Sequence, residues 1–332
     1  APAGGEPPTR KGSCGSALAW LLRNAEEEED MEASDEENAA LMEQLMKSIP
    51  PMDLRNGENL LREAKQIFDE HGVVFFLRQG TCLGAVRDHA LIPWDDDLDL
   101  GSIIDMHGFT EDLIEPTIES FRANGCYVEV SDDGLYTTVK IMKYRIRIDW
   151  QCYRVIKGTI AHYPGVPIPI SLFTELTEVD FIGDTYLVPS PPEAYLRCKY
   201  GPNWGTPKQV GYEKDVLDAM PKGTVPGRAG WLKQFLAVRF SPRQTATLLV
   251  LDENDAPVAG ADVLLAGLSQ SKTNRQGIAR FYLPKPDIYA LAITANGREE
   301  VLYEEEMARG ERYVYRPDPA KPEGRYFVLT QK

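Results

Sequence analysis

Between Trp94 and Gly101 the chain reads Asp95-Asp96-Asp97-Leu98-Asp99-Leu100. In a strand, side chains alternate between faces, which puts Asp95, Asp97 and Asp99 on one side and Leu98 and Leu100 on the other. Three carboxylates on one face repel each other unless a cation sits among them. Donors that are all oxygen favour a hard ion, Mg²⁺ or Mn²⁺, shared with substrate phosphates. The leucines would anchor the strand in a core. The same residues also suit an acidic surface turn after Pro93, because Asp is common in loops.

The upstream residues shift that balance towards a site. Gly80-Thr81 follows a short apolar run and precedes the small-residue stretch Gly84-Ala85-Val86-Arg87. A glycine there lets backbone N–H groups approach phosphate, the Thr81 hydroxyl adds a donor, and Arg87 offers a fork for phosphate oxygens. Arg145 and Arg147 are weaker candidates for the same clamp, since they also suit an ordinary strand edge. Cys82 has no base beside it in sequence and reads as packing rather than as a nucleophile.

These residues need elements to position them. Leu60, Leu61, Ala64, Ile67 and Phe68 recur at helical spacing, and His71-Gly72 ends that helix. Val73 to Leu77 has strand character. Thr137 to Val155 reads as a strand pair or one long strand, with Ile146, Ile148 and Trp150 alternating with Arg145, Arg147 and Asp149. Val188 to Tyr200 reads as a strand end feeding a helix, with Ser190 as cap and Pro191 or Pro192 in the first turn. After Ser241-Pro242 short β runs separated by turn chemistry indicate an antiparallel sandwich.

The 332 residues exceed one ordinary domain, and 43% hydrophobic content supports packed cores. The net charge of −15 excludes an overall basic footprint for nucleic acid. Much of the excess is local: residues 26 to 37 hold nine acids and no base, and without them the charge falls to −6. That block, with the Pro/Gly-rich residues before it, reads as a largely disordered segment over 1–50, although Ala39 to Lys47 has a helical pattern. Five cysteines without CxxC spacing suit a reducing compartment rather than a disulfide framework or zinc site. No apolar run reaches the length of a membrane span. A cytoplasmic protein, peripheral at most to the inner membrane face, is the expectation. The chain begins with Ala, which reads as a piece of something longer.

The run Phe76-Leu77-Arg78-Gln79-Gly80-Thr81-Cys82-Leu83-Gly84-Ala85-Val86-Arg87, followed by Ile92-Pro93-Trp94-Asp95-Asp96-Asp97-Leu98-Asp99-Leu100-Gly101, resembles the signature of the LicD family of phosphorylcholine transferases and fukutin-related proteins. Arg147-Ile148-Asp149-Trp150 is similar to the family's hydrophobic-Asp-hydrophobic strand. Val188-Pro189-Ser190 through Tyr200-Gly201, with Trp204 and Pro207, resembles its proline-led helix. The resemblance covers about residues 55 to 210, and Gln79 and Cys82 depart from its usual small and aliphatic residues. It implies an α+β, nucleotidyltransferase-like mixed sheet flanked by helices over 51–240. The site residues it implies are Gly80 and Thr81 at the phosphates and Asp97, Asp99 and Asp149 at Mg²⁺ or Mn²⁺. Asp149 would be a third metal ligand or a proton acceptor, and Asp95 would contact substrate. The implied reaction moves a phospho-alcohol, such as phosphocholine or a polyol phosphate, from a CDP-linked donor to a hydroxyl of a glycan or lipid-linked saccharide, releasing CMP. True nucleotidyl transfer, with pyrophosphate leaving, and a non-catalytic adaptor are the alternatives.

Over 241–332, Pro257-Val258-Ala259-Gly260-Ala261-Asp262-Val263, with Thr273-Asn274 and Gly277-Ile278-Ala279, resembles the carboxypeptidase regulatory-like sandwich module. Such a module implies a transthyretin- or immunoglobulin-like shape, available to a glycan or protein partner. Asp252-Glu253-Asn254-Asp255 reads as a hairpin turn rather than a Ca²⁺ site.

Overall fold

A computed structural model describes residues 34–219, 245–283, 285–321 and 323–332. The first element, α1 (Asp35–Ser48), is set by its own sequence. Ser34 and Glu37 form a reciprocal capping box, and Asp35, Glu36 and Glu37 occupy the first turn, where the helix dipole favours anions. Buried Met42 and Leu45 then pack against Met142. The expected disorder over 1–50 therefore does not extend to these residues, because acids placed at a helix N-terminus stabilise it. Residues 1–33 and the expected boundary at 241 lie outside the described residues.

Helix α2 (Leu54–Glu70) is capped by Asp53 and buries Leu60, Leu61, Ala64, Ile67 and Phe68, the stripe legible in the sequence. It ends at His71, and Gly72 takes φ +65°. The central sheet contains β1 (Phe76–Leu77), β2 (Asp97–Ile103), β3 (Tyr127–Asp132), β4 (Tyr136–Lys143) and β5 (Ile146–Tyr153), in the order β1-β2-β5-β4-β3. The β2–β5 pair is parallel and the others are antiparallel. The Thr137–Val155 segment is thus a hairpin, turned at Tyr144-Arg145 with both φ positive. On one sheet face Leu98, Leu100, Ile148 and Trp150 are fully buried, and Trp150 meets Phe68 edge-on at 4.8 Å.

Between β1 and β2 lies α3 (Gln79–Leu83), continued by one π-helical turn over Gly84–Asp88. Helix α4 (Ile114–Ala123) packs beside α2 under the sheet. Hairpins β6–β7 (Thr159–His162, Val166–Pro169) and β8–β9 (Leu176–Phe181, Asp184–Pro189) lead to α5 (Pro192–Tyr200) and α6 (Tyr212–Ala219). Pro192 stands in the first turn of α5, but Ser190 is not its cap; its hydroxyl accepts from Thr177 instead.

The C-terminal unit has two four-stranded sheets. One orders β13 (Ile278–Tyr282), β10 (Thr245–Val250), β16 (Arg312–Tyr315) and β17 (Thr330–Gln331). The other orders β12 (Ser269–Lys272), β11 (Asp262–Leu265), β14 (Asp287–Ala295) and β15 (Arg298–Met307). Pairing is antiparallel except for β10 with β16, which run parallel. Leu291, Ile293 and Leu302 fill the sandwich interior, while Ala290, Ala292 and Tyr303, on the other face of β14 and β15, join the core of the preceding unit. The Asp252 carboxylate accepts from the backbone N–H groups of Asn254 and Ala256, a turn closed on itself as expected. Among the described residues no helix is long and apolar enough to cross a membrane.

Candidate active site

Strand β2 begins at Asp97, so period-two alternation puts Asp97 and Asp99 together on the sheet face opposite the leucines. The parallel register sets Asp97 beside Arg147 and Asp99 beside Asp149. Asp149 therefore stands on the same face, across from Asp99 on the neighbouring strand. Asp95 does not share their strand. It lies in the preceding turn, where the carboxylates of Asp95, Asp96 and Asp97 converge within 4.8 Å of one another. Asp96, which strand alternation would have sent to the other face, is thereby a member of the cluster.

Two arginines, Arg78 buried and Arg147 partly buried, hold this charge. Arg147 reaches Asp97 through Nη2, Asp96 at 3.3 Å and Asp149 at 3.1 Å. Arg78 lies beneath, only 1% exposed, with Nη1 2.9 Å from Asp99. Its Nε and Nη2 donate to the carbonyls of Leu100 and Asp149 at 2.9 and 3.0 Å. Asp99 also accepts from Gln79 Nε2 and from the Gly80 N–H, both at 3.1 Å. The Asp99 N–H in turn donates to Thr81 Oγ1 at 2.8 Å. Gly80 and Thr81, at the start of α3, thus hold Asp99 in place, with the Gly80 N–H spent on its carboxylate. Gln79, a departure from the family pattern, is one of the clamps.

Gly80 answers to sterics. A Cβ there would stand 2.2 Å from Asp95 Oδ2, so any side chain would push that carboxylate away. Arg87 forks onto its neighbour Asp88 at 2.9 and 2.6 Å, and Arg145 occupies the exposed β4–β5 turn. Arg78 and Arg147 are the arginines on the carboxylates. Cys82 is fully buried and burial pushes its thiol far up, which suits packing.

The electrostatics are those of like charges held together. Burial, then Asp97 and its neighbours, raise Asp96 to about 8 against the pull of Arg147. Burial likewise raises Asp99 to about 7, with Arg78 opposing and Asp97 and Asp149 adding to it. Asp95 is pushed well above the carboxylate range by burial and by Asp97 and Asp99. A hard divalent cation fits this donor set, because it would supply the positive charge that two guanidiniums leave short.

A ring of further groups surrounds the cluster. Tyr195 Oη on α5 accepts from the Gln79 N–H at 2.9 Å, so this helix steadies the Asp99 clamp. His162 is buried with its ring stacked on Tyr153 at 4.9 Å, and burial holds it well below its usual range, as a neutral ring. Lys199, 1% exposed, donates to the Tyr163 carbonyl at 2.5 Å and to Tyr303 Oη at 3.2 Å. Burial lowers it to about 7, with Asp99 opposing. A lysine on the buried stripe of Tyr195, Leu196 and Tyr200 was the sequence signal for it.

Residues 72–191 match the family model described as LicD/FKTN/FKRP, nucleotidyltransferase domain. The chain is similar to Ribitol 5-phosphate transferase FKRP of Homo sapiens and of Mus musculus, at 28% identity over 161 residues in each case. The match covers 46% of this chain and 32% and 33% of those proteins, so the chain spans about a third of the length of these curated relatives. Among solved structures, ANT(2")-Ia in complex with adenylyl-2"-tobramycin aligns with a TM-score of 0.28 and 17% identity, over 40% of this chain and 68% of that one. Residues 72–191, which carry Asp97, Asp99 and Asp149, are thus similar in sequence to the LicD/FKTN/FKRP nucleotidyltransferase domain.

Proposed function

We propose that the protein transfers a phospho-alcohol from a CDP-linked donor to a hydroxyl of a glycan or lipid-linked saccharide, releasing CMP. The observation that carries this reading is that Asp97, Asp99 and Asp149 share one face of adjacent parallel strands, within a segment similar to ribitol 5-phosphate transferases. Asp97, Asp99 and Asp149 would hold Mg²⁺ or Mn²⁺, which neutralises charge on the diphosphate when bound. Arg78, Gln79 and Gly80 keep Asp99 in one orientation. Arg147, already among three carboxylates, lies where a guanidinium can also meet phosphate oxygens. The acceptor oxygen forms a bond to phosphorus, the bond from phosphorus to CMP breaks, and the acceptor proton passes to a carboxylate of the cluster. Asp95, turned towards Gly80, contacts the substrate side of the cluster. The sandwich, whose Pro257–Val263, Thr273-Asn274 and Gly277–Ala279 segments resemble a carboxypeptidase regulatory-like module, packs against this domain through Tyr303.

Product identity tests the reading. Incubation with CDP-ribitol, CDP-choline and related donors in Mn²⁺ should release CMP and label a saccharide acceptor. Pyrophosphate release from nucleoside triphosphates, with no CMP from any CDP-alcohol, would replace it with nucleotidyl transfer.

A further inference from the structure

Strand β15 contains one residue too many. Tyr289 pairs with Glu305 and Leu291 pairs with Leu302, so Ala290 alone faces both Tyr303 and Glu304. Such a bulge breaks strict alternation and turns two consecutive side chains to the same side of a sheet. Tyr303 uses that side to enter the neighbouring unit. Its hydroxyl accepts from Lys199 at 3.2 Å, its carbonyl accepts from Tyr163 Oη, and its ring meets Tyr163 edge-on at 5.3 Å. With Tyr303 locked in this way, Glu304 faces the carboxylate cluster. The groups acting on it are Arg147, Asp97, Asp149 and Lys199, and Asp96 feels it in turn. Glu305, the next residue, returns to the sandwich and accepts from the N–H groups of Val328 and Leu329, both at 2.8 Å.

The Glu304 carboxylate is half-buried and makes no hydrogen bond or ion pair among the described residues. A further anion beside five aspartates does nothing for stability, since each neighbour of like sign raises its cost. A half-buried carboxylate accepts hydrogen bonds from hydroxyl groups, which is how proteins grip polyhydroxyl ligands.

We propose that the C-terminal sandwich completes the active site, with Glu304 accepting a hydrogen bond from a hydroxyl of the saccharide acceptor and Tyr303 positioning it. This assignment rests on the phospho-alcohol transfer reading and adds the acceptor side to it. The test uses the full chain as wild type, Glu304→Gln, Glu304→Lys and the exposed control Glu306→Gln. Loss of one charged hydrogen bond should raise the acceptor KM of Glu304→Gln by about ten-fold or more while the CDP-alcohol KM moves less than about two-fold. Glu304→Lys should also weaken Mn²⁺ binding, read as the melting-temperature shift on titration, by about five-fold or more, because it brings a cation to the cluster. An acceptor KM in Glu304→Gln matching the Glu306→Gln control, or a Mn²⁺ titration in Glu304→Lys matching wild type, would overturn the assignment. A wild type that neither responds to Mn²⁺ nor releases CMP would remove the functional reading and this inference together. A working wild type with unaltered Glu304 variants would remove only the inference.

Discussion

Among the described residues, Asp95, Asp96, Asp97, Asp99 and Asp149 share ion pairs with two arginines, Arg78 and Arg147, and the imbalance governs how each residue should behave. Asp96 and Asp99, raised to about 8 and about 7, bind protons in the folded state that an unfolded chain, titrating near 4, has already released. Their contribution to the stability of the metal-free protein should therefore fall as pH rises from about 5 to about 8. Lys199 and His162, both lowered by burial, act in the opposite sense, so the difference between wild type and Asp96→Asn isolates the carboxyl contribution: in EDTA the wild type should lose more melting temperature, or gain less, than Asp96→Asn between pH 5.5 and pH 8.5. Equal pH dependence in the two proteins would contradict the charge reading. Arg78 gives the opposite expectation. Arg78→Met leaves Asp99 without its guanidinium and should cost about 3–5 kcal/mol in chemical denaturation.

At the scale of elements, strand alternation made Asp97 and Asp99 legible, because it needs only the sequence of one segment. Pairing with Arg147-Ile148-Asp149-Trp150 was legible through family resemblance, and the parallel register gives it a physical form. Asp95 was read onto the strand face because nothing in the aspartate run marks where the strand starts. Arg87 was misjudged because its nearest anion, Asp88, is its chain neighbour. Arg78 was passed over as part of a motif, although a buried arginine at the end of an apolar strand needs a buried acid. The turn between β1 and β2 makes one sharp demand. Gly80→Ala must displace Asp95, and should lower Mn²⁺ affinity by about 10–100-fold while leaving far-ultraviolet circular dichroism unchanged. Unchanged Mn²⁺ affinity would detach Asp95 from the site.

At the scale of the whole molecule, the change from mixed to period-two patterning announced a second unit, but not how it docks. Docking depends on Ala290, Ala292 and Tyr303, which look like ordinary strand residues until the other unit is in place. Because these side chains share a core with the layer that carries the aspartates, the chain should unfold in one calorimetric transition rather than as two independent pieces. Two well-separated transitions would show that the interface contributes little. The central claim, that Asp97, Asp99 and Asp149 hold a cation for phospho-alcohol transfer, is tested most directly by Asp97→Asn. The protein should keep or slightly raise its metal-free melting temperature, since one of five crowded anions is neutralised and Arg147 retains Asp96 and Asp149. It should lose the Mn²⁺-induced shift, and CMP release from CDP-alcohols should fall by at least ~10²-fold. An Asp97→Asn protein with the wild-type Mn²⁺ shift and undiminished CMP release would contradict the account.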